Sequence, residues 1–213
     1  MSQNQIILIN KPLRWTSFDV VRKVRNVLSK YSGSEEKTQT PNYKLPTKNY
    51  KVGHAGTLDP LATGLLVLCT GSFTKKISEI QGAEKEYTGT FTIGSITDSY
   101  DLETEVSAEK NYSHITEELI IKAVKKFTGK QFQTPPAHSA VKIGGIRAYT
   151  KARKGEDVEI AAKEVDINEF EIVAIDLPRI DIRVVCSKGT YIRSLAHDFG
   201  KELECGEIGR AHV

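Results

Sequence analysis

Gly53-His54-Ala55-Gly56-Thr57-Leu58-Asp59-Pro60-Leu61-Ala62-Thr63-Gly64 sets one carboxylate among glycines, beside a histidine and ahead of a proline. Glycine lets backbone approach a bulky ligand closely, and an Asp before Pro can open a helix whose free amides favour negative charge. The plainer reading of the same residues is an N-cap at Asp59 with Pro60 at the first helical position and no chemistry. Directly after Gly64, residues 65–69 are continuously apolar and the run stops at Gly71, which predicts a central strand.

Outward from this stretch the chain alternates between strand and helix periods, the pattern of an α+β fold in which helices pack on a mixed sheet. Residues 6–9 read as a buried strand. Thr16 or Ser17 caps a helix whose apolar positions Val20, Val21, Val24, Val27, Leu28 and Tyr31 recur at helical spacing, with Asp19 in the first turn. Its other face carries Arg22, Lys23, Arg25 and Lys30, a solvated face that could also steer phosphate. Residues 32–49 are rich in Ser, Thr, Glu, Lys and Pro and read as an exposed, mobile loop.

Residues 87–93 alternate between Tyr, Gly, Phe and Ile on one side and threonines on the other, a half-exposed strand. Residues 116–127 are amphipathic, with acids in the first turn and lysines in the last, and read as a helix. Residues 131–155 hold Pro135, Pro136, Gly144 and Gly145 among lysines and arginines, with little periodicity. Strands return over 170–176 and 180–186, and a last helix carries the stripe Ile192, Leu195, Ala196, Phe199 and Leu203. Tyr191 and Arg193 fall off that stripe near the helix start. Residues 187–190 form a turn that could hold an anion, although neither this turn nor 53–64 contains the Gly-Lys-Ser/Thr of a phosphate loop.

The 213 residues, 39% of them hydrophobic, suffice for one sizeable core, expected as one domain with insertions. A net charge of +3 permits an RNA partner without arguing for one. Cys69, Cys186 and Cys205 are odd in number and lack metal-ligand spacing, so they read as reduced core thiols of a cytoplasmic protein. No signal peptide is visible, and residues 6–9 are too short to span a bilayer, so no membrane partner is expected.

Five blocks, in order, resemble the tRNA pseudouridine-55 synthases of the bacterial B type. They are Lys11-Pro12 with Trp15-Thr16-Ser17, then 53–64, then Lys85-Glu86-Tyr87 with Gly94 and Thr97-Asp98-Ser99-Tyr100-Asp101. The fourth runs from Gln133 to Lys142, with Tyr149 and Ala152-Arg153-Lys154-Gly155, and the fifth from Cys186 to Arg193. Such a set is far more specific than a lone glycine motif.

The resemblance implies the pseudouridine synthase fold, a mixed and largely antiparallel sheet flanked by helices, with residues 1–206 as catalytic domain and about 131–160 as an arm gripping the tRNA T stem-loop. It implies isomerisation of one uridine: the N-glycosidic bond breaks, the base turns, and C5 joins the sugar. The target base has to be flipped out of its loop and held by stacking. Asp59 matches the family's aspartate, acting as nucleophile or base; Tyr87 matches the stacking tyrosine, and His54 the histidine that contacts the flipped nucleotide. Lys11 and Pro12 shape the pocket wall, and Tyr191 packs there. A carboxylate kept ionised in a water-poor pocket needs a permanent cation, for which Arg193 is the natural partner. No metal or organic cofactor and no obligate protein partner is implied, and a monomer is expected.

Arg14 stands where the family has glycine, and His138 where tyrosine is common. After Gly206 the family normally continues with alanine and a further segment, whereas Ile208-Gly209-Arg210-Ala211-His212-Val213 is what ATCGGAAGAGCACACGTC encodes, a string that looks like a common sequencing adapter. Residues 207–213 are therefore expected to be a non-native tail, without the C-terminal RNA-binding domain of some relatives. A non-catalytic tRNA-binding protein is the alternative if the pocket is incomplete, and a small-molecule enzyme with an anion site is a more distant one.

Overall fold

The computed structural model describes residues 4–32 and 50–212, which divide into two compact units, Met1–Ala83 and Glu84–Val213. One sheet lies within the first unit and a larger one within the second. Apart from residue 32, the loop expected at 32–49 lies outside the described residues, as does Val213. Among the described residues no helix is long and apolar enough to cross a membrane.

The first unit runs β1 (Ile6–Lys11), α1 (Ser17–Ser32), β2 (Val52–His54), β3 (Gly64–Thr70), a 3-10 segment over Gly71–Lys76, and α2 (Ile77–Gln81). Its sheet has the order β1-β3-β2, both pairings antiparallel, so the apolar run after Gly64 is indeed the central strand. Residues 6–9, expected to be buried, are only half so: β1 is an edge strand, and Ile6 and Leu8 are 48% and 65% exposed. The α1 helix is capped by Thr16, whose Oγ1 accepts from the Asp19 amide at 3.0 Å while the Asp19 carboxylate accepts from the Thr16 amide at 3.0 Å. This reciprocal arrangement satisfies two amides that the helix start would otherwise leave unpaired.

The second unit runs β4 (Lys85–Ile93), β5 (Ser95–Thr97), β6 (Val106–Glu109), α3 (Glu117–Lys126), β7 (Gly129–Gln133), β8 (Lys142–Ile143), β9 (Ile146–Arg147), α4 (Ala148–Ala152), β10 (Lys163–Asp176), β11 (Arg179–Cys186), α5 (Ile192–Glu202) and β12 (Glu207–His212). Its main sheet has the order β12-β4-β11-β10-β7 with every pairing antiparallel, and β5-β6 and β8-β9 are two-stranded ribbons. The α+β class with a largely antiparallel sheet is therefore the observed one. Residues 131–133, read as the start of an irregular arm, instead complete the sheet edge by pairing with 163–165.

The core lies between this sheet and α3 and α5, where Phe91, Phe170, Phe127 and Phe199 meet in edge and tilted ring contacts with centroids 5.7 to 6.3 Å apart. All three cysteines are buried free thiols, and burial pushes Cys186 and Cys205 up to about 11.

Residues 207–212, part of the segment expected to be non-native, pair with β4 as the strand β12. Glu207 enters this strand fully buried, and among the described residues neither carboxylate oxygen has a hydrogen-bond partner. Burial holds its carboxyl well above the ordinary carboxylate range. The folded chain therefore keeps a proton that the unfolded chain releases, so the residue's contribution to stability is full at acidic pH and is lost as pH rises. Glu207→Ala should raise the unfolding midpoint, and by more at pH 8 than at pH 4.5. Equal gains at both pH values would contradict this account of Glu207.

Candidate functional site

In the first unit the predicted residues lie at strand ends of the three-stranded sheet and in the loop that joins two of its strands. Lys11 closes β1 opposite Gly64 at the start of β3, and His54 closes β2 opposite Leu68. The loop carrying Asp59 joins these strand ends. It forms no helix: residues 59–62 make a turn in which the Ala62 amide donates to the Asp59 carbonyl at 3.1 Å. The expected N-cap geometry at Asp59-Pro60 fails because β3 begins at Gly64, leaving too few residues for a helical turn. Gly56 and Gly64 bracket the loop at φ +116° and +115°, conformations that side chains with a Cβ rarely adopt.

Lys11, expected to shape a pocket wall, ties two segments of the first unit together. It is fully buried, and its Nζ donates to the carbonyls of Pro12 at 3.0 Å, Trp15 at 2.6 Å and Pro60 at 3.3 Å, tying the first motif to the residue after Asp59. Burial lowers its pKa, and the Asp59 carboxylate opposes that shift, so the two opposite charges act on one another. The Arg14 amide donates to the same Pro60 carbonyl at 2.7 Å, with Arg14 at φ +66°. That left-handed backbone explains physically why glycine suits this position.

Ser17 carries a role that the sequence analysis leaves out. Its Oγ accepts from the Leu58 amide at 2.9 Å and donates to the Leu58 carbonyl at 3.2 Å, and it is 3% exposed. It thus pins the residue before Asp59 to the start of α1, while Thr16 does the capping. Ser17→Ala leaves both backbone groups of Leu58 without this partner, so a loss of about 1–3 kcal/mol is expected. Chemical unfolding checks this, and a loss under about 0.5 kcal/mol would show that the pin is dispensable.

His54 is half-buried, and its Nδ1 contacts the Gly56 carbonyl within the same loop. A carbonyl only accepts, so Nδ1 carries the proton and Nε2 is the acceptor in the neutral ring.

Tyr87, Tyr191 and Arg193 belong to the second unit. Tyr87 stands on β4 opposite Val184 of β11 and packs against the edge of the core. Tyr191 precedes α5, where its amide donates to Gln133 Oε1 at 2.7 Å and its carbonyl accepts from Gln133 Nε2 at 3.1 Å. Gln133, the last residue of β7, thereby fixes the helix start, a function that spacing alone could not disclose.

Arg193 lies off the apolar stripe of α5, as its position suggests, yet it is only 7% exposed. Its guanidinium donates to the Ser99 carbonyl at 3.0 Å and the His138 carbonyl at 3.1 Å and pairs with Asp101 Oδ2 at 3.3 Å. Within its own unit, then, Arg193 has a carboxylate partner that the sequence analysis does not name. Asp101 sits in the 97–101 block, but nothing in the spacing marks it. Its Oδ1 accepts from Ser99 Oγ at 2.7 Å and the Glu103 amide at 2.9 Å, leaving Oδ2 toward Arg193. Among the described residues, no group of three or more His, Cys, Asp or Glu side chains is placed to hold a metal ion.

Against known proteins, residues 44–192 match the model of the TruB family pseudouridylate synthase N-terminal domain. The "tRNA pseudouridine synthase B" of Flavobacterium johnsoniae is 55% identical over 204 residues, covering 96% of this chain and 84% of that protein. The protein of the same name from Parabacteroides distasonis is 52% identical, covering 95% and 80%. Among solved structures, a chain of a Cbf5-Nop10-Gar1 complex superposes with a TM-score of 0.67 at 24% identity, covering 99% of this chain and 47% of that one, a likeness of fold.

Proposed function

Because this chain belongs to the TruB family of pseudouridylate synthases, we propose that it isomerises a uridine of tRNA to pseudouridine, the uridine lying in the T loop. The observation that carries this reading is 55% identity over 96% of the chain to a protein named for that activity, a span that contains the Asp59 loop and the Arg193 helix. The alternative of a non-catalytic tRNA-binding protein is not favoured by relatives named as synthases.

In this reading Asp59 is the nucleophile or base that starts cleavage of the glycosidic bond. Lys11 offsets its negative charge within the same unit, and Ser17 fixes the backbone ahead of it. Tyr87 stacks on the flipped base, which costs a few kcal/mol to extract from its loop. His54 contacts the flipped nucleotide, Tyr191 packs in the pocket, and Arg193 supplies the permanent cation that keeps the catalytic carboxylate ionised. One carbon–nitrogen bond is exchanged for one carbon–carbon bond, so neither a redox group nor a phosphoryl donor is required. Residues 134–160, basic and built of short elements, grip the T stem-loop through its phosphates. The enzyme works as a cytoplasmic monomer.

The test is conversion of an unmodified tRNA transcript, with pseudouridine located by carbodiimide adducts that stop primer extension. A stop at one T-loop uridine supports the reading. A transcript bound but unmodified, or modified elsewhere, overturns it.

A further inference from the structure

The turn that holds Arg193 contains a residue with no part in the reaction described above. Ser99, Tyr100 and Asp101 are consecutive, and the outer two both touch Arg193, through the Ser99 carbonyl at 3.0 Å and Asp101 Oδ2 at 3.3 Å. Tyr100 lies between them at φ +61°, a left-handed conformation that non-glycine residues seldom adopt. Its ring does not follow its neighbours but stacks on His197 of α5, with centroids 3.9 Å apart and planes 14° from parallel. Arg193 and His197 are four residues apart on α5 and so lie one above the other on the same face. The helix therefore grips the turn at two points one helical turn apart.

The unusual backbone at Tyr100 lets both geometries exist at once. With Tyr100 left-handed, the Ser99 carbonyl and the Asp101 carboxylate face the guanidinium while the intervening ring turns to the imidazole. The rest of the turn is tied within itself, by Thr97 Oγ1 to the Asp101 carbonyl at 2.7 Å and by Ser99 Oγ to Thr104 Oγ1 at 2.9 Å, and to β12, whose Gly209 amide donates to the Tyr100 carbonyl at 3.2 Å. Among the described residues, the ring stack joins this turn to α5 one helical turn beyond Arg193. Burial, with Asp198 and Asp98 nearby, raises the Tyr100 phenol, and burial lowers His197, so both rings are uncharged at neutral pH and stack as neutral partners.

We propose that Tyr100 and His197 are positioning residues of the synthase: their stack holds the 99–101 turn against α5 so that Ser99 and Asp101 keep Arg193 in its working orientation. The proposal rests on the role given to Arg193 above. Neither ring touches substrate in this account, so the effect falls on the chemical step and not on tRNA affinity.

Tyr100→Gly tests it, because glycine accepts the left-handed backbone and removes only the ring. The expected result is a single-turnover rate about tenfold lower with the tRNA Kd within twofold of wild type, while Tyr100→Phe stays within twofold on both. In an Arg193→Lys background the same Tyr100→Gly change should alter the rate by less than twofold. Should Tyr100→Gly fail to fold, His197→Leu takes its place with the same expected loss, and His197→Phe, which restores a stacking ring, recovers the rate. A wild-type rate for folded Tyr100→Gly or His197→Leu overturns the proposal, as does a full tenfold loss repeated in the Arg193→Lys background. A wild-type rate for Arg193→Lys alone overturns the role of Arg193, and the brace with it.

Discussion

Asp59→Ala is expected to lower the rate of pseudouridine formation by about 10⁴-fold or more while leaving the fold and tRNA affinity close to wild type. The size follows from the chemistry. No other residue in the Asp59 loop carries a carboxylate, and a group that begins the reaction as nucleophile or base has no substitute in water at neutral pH. The backbone of the turn should survive because the Asp59 carbonyl, which the substitution keeps, accepts from the Ala62 amide, and the Leu58 pin to Ser17 is untouched. One secondary effect is predictable in sign: without the Asp59 charge, nothing from that residue opposes the burial that lowers the Lys11 pKa. Asp59→Asn separates charge from shape and should be as inactive as alanine. Single-turnover kinetics on a tRNA transcript measure both, and activity within tenfold of wild type in either variant would remove Asp59 from the reaction.

Arg193 should show the second-largest effect, divided between stability and rate. It and Asp101 are 9% and 6% exposed at their side chains, so Arg193→Met strands a buried carboxylate and should cost about 3–5 kcal/mol. For a chain of this length that corresponds to a midpoint lowered by roughly 6–20 °C. Arg193→Lys keeps the charge but cannot reach Ser99, His138 and Asp101 together, since an ammonium lacks the planar fork. Losing one charged hydrogen bond, about 1.5–3 kcal/mol, corresponds to a rate roughly tenfold to a hundredfold lower. The double change Arg193→Met with Asp101→Asn should recover part of the stability and none of the activity. Recovery of both would mean that Arg193 is only structural.

How much of this could be read from the chain differed by the range of the interactions. The central strand after Gly64, the α1 and α3 helices and the stripe of α5 were legible because local periodicity and capping residues encode them. The Asp59 loop stood out because so many glycines about one carboxylate have few other uses. What stayed hidden depends on pairing across long separations. Gln133 clasps Tyr191 at 58 residues' distance, Ser17 holds Leu58 at 41, and Arg193 reaches the Ser99 carbonyl at 94. No period or spacing signals such contacts. Two local readings were overridden by context: Asp59-Pro60 opens a turn because the next strand starts too soon, and residues 131–133 join the sheet because the strand beginning at Lys163 offers them an edge.

When the uracil of a T-loop uridine moves from nitrogen to carbon linkage, carbon 5 must lose its hydrogen as the new bond forms. The most direct measurement is tritium release from a tRNA transcript labelled at C5 of its uridines. Release should rise to one equivalent per tRNA and vanish when the T-loop uridine is replaced by cytidine. Tight binding of the transcript with no tritium released, or release that persists after that replacement, would contradict the account.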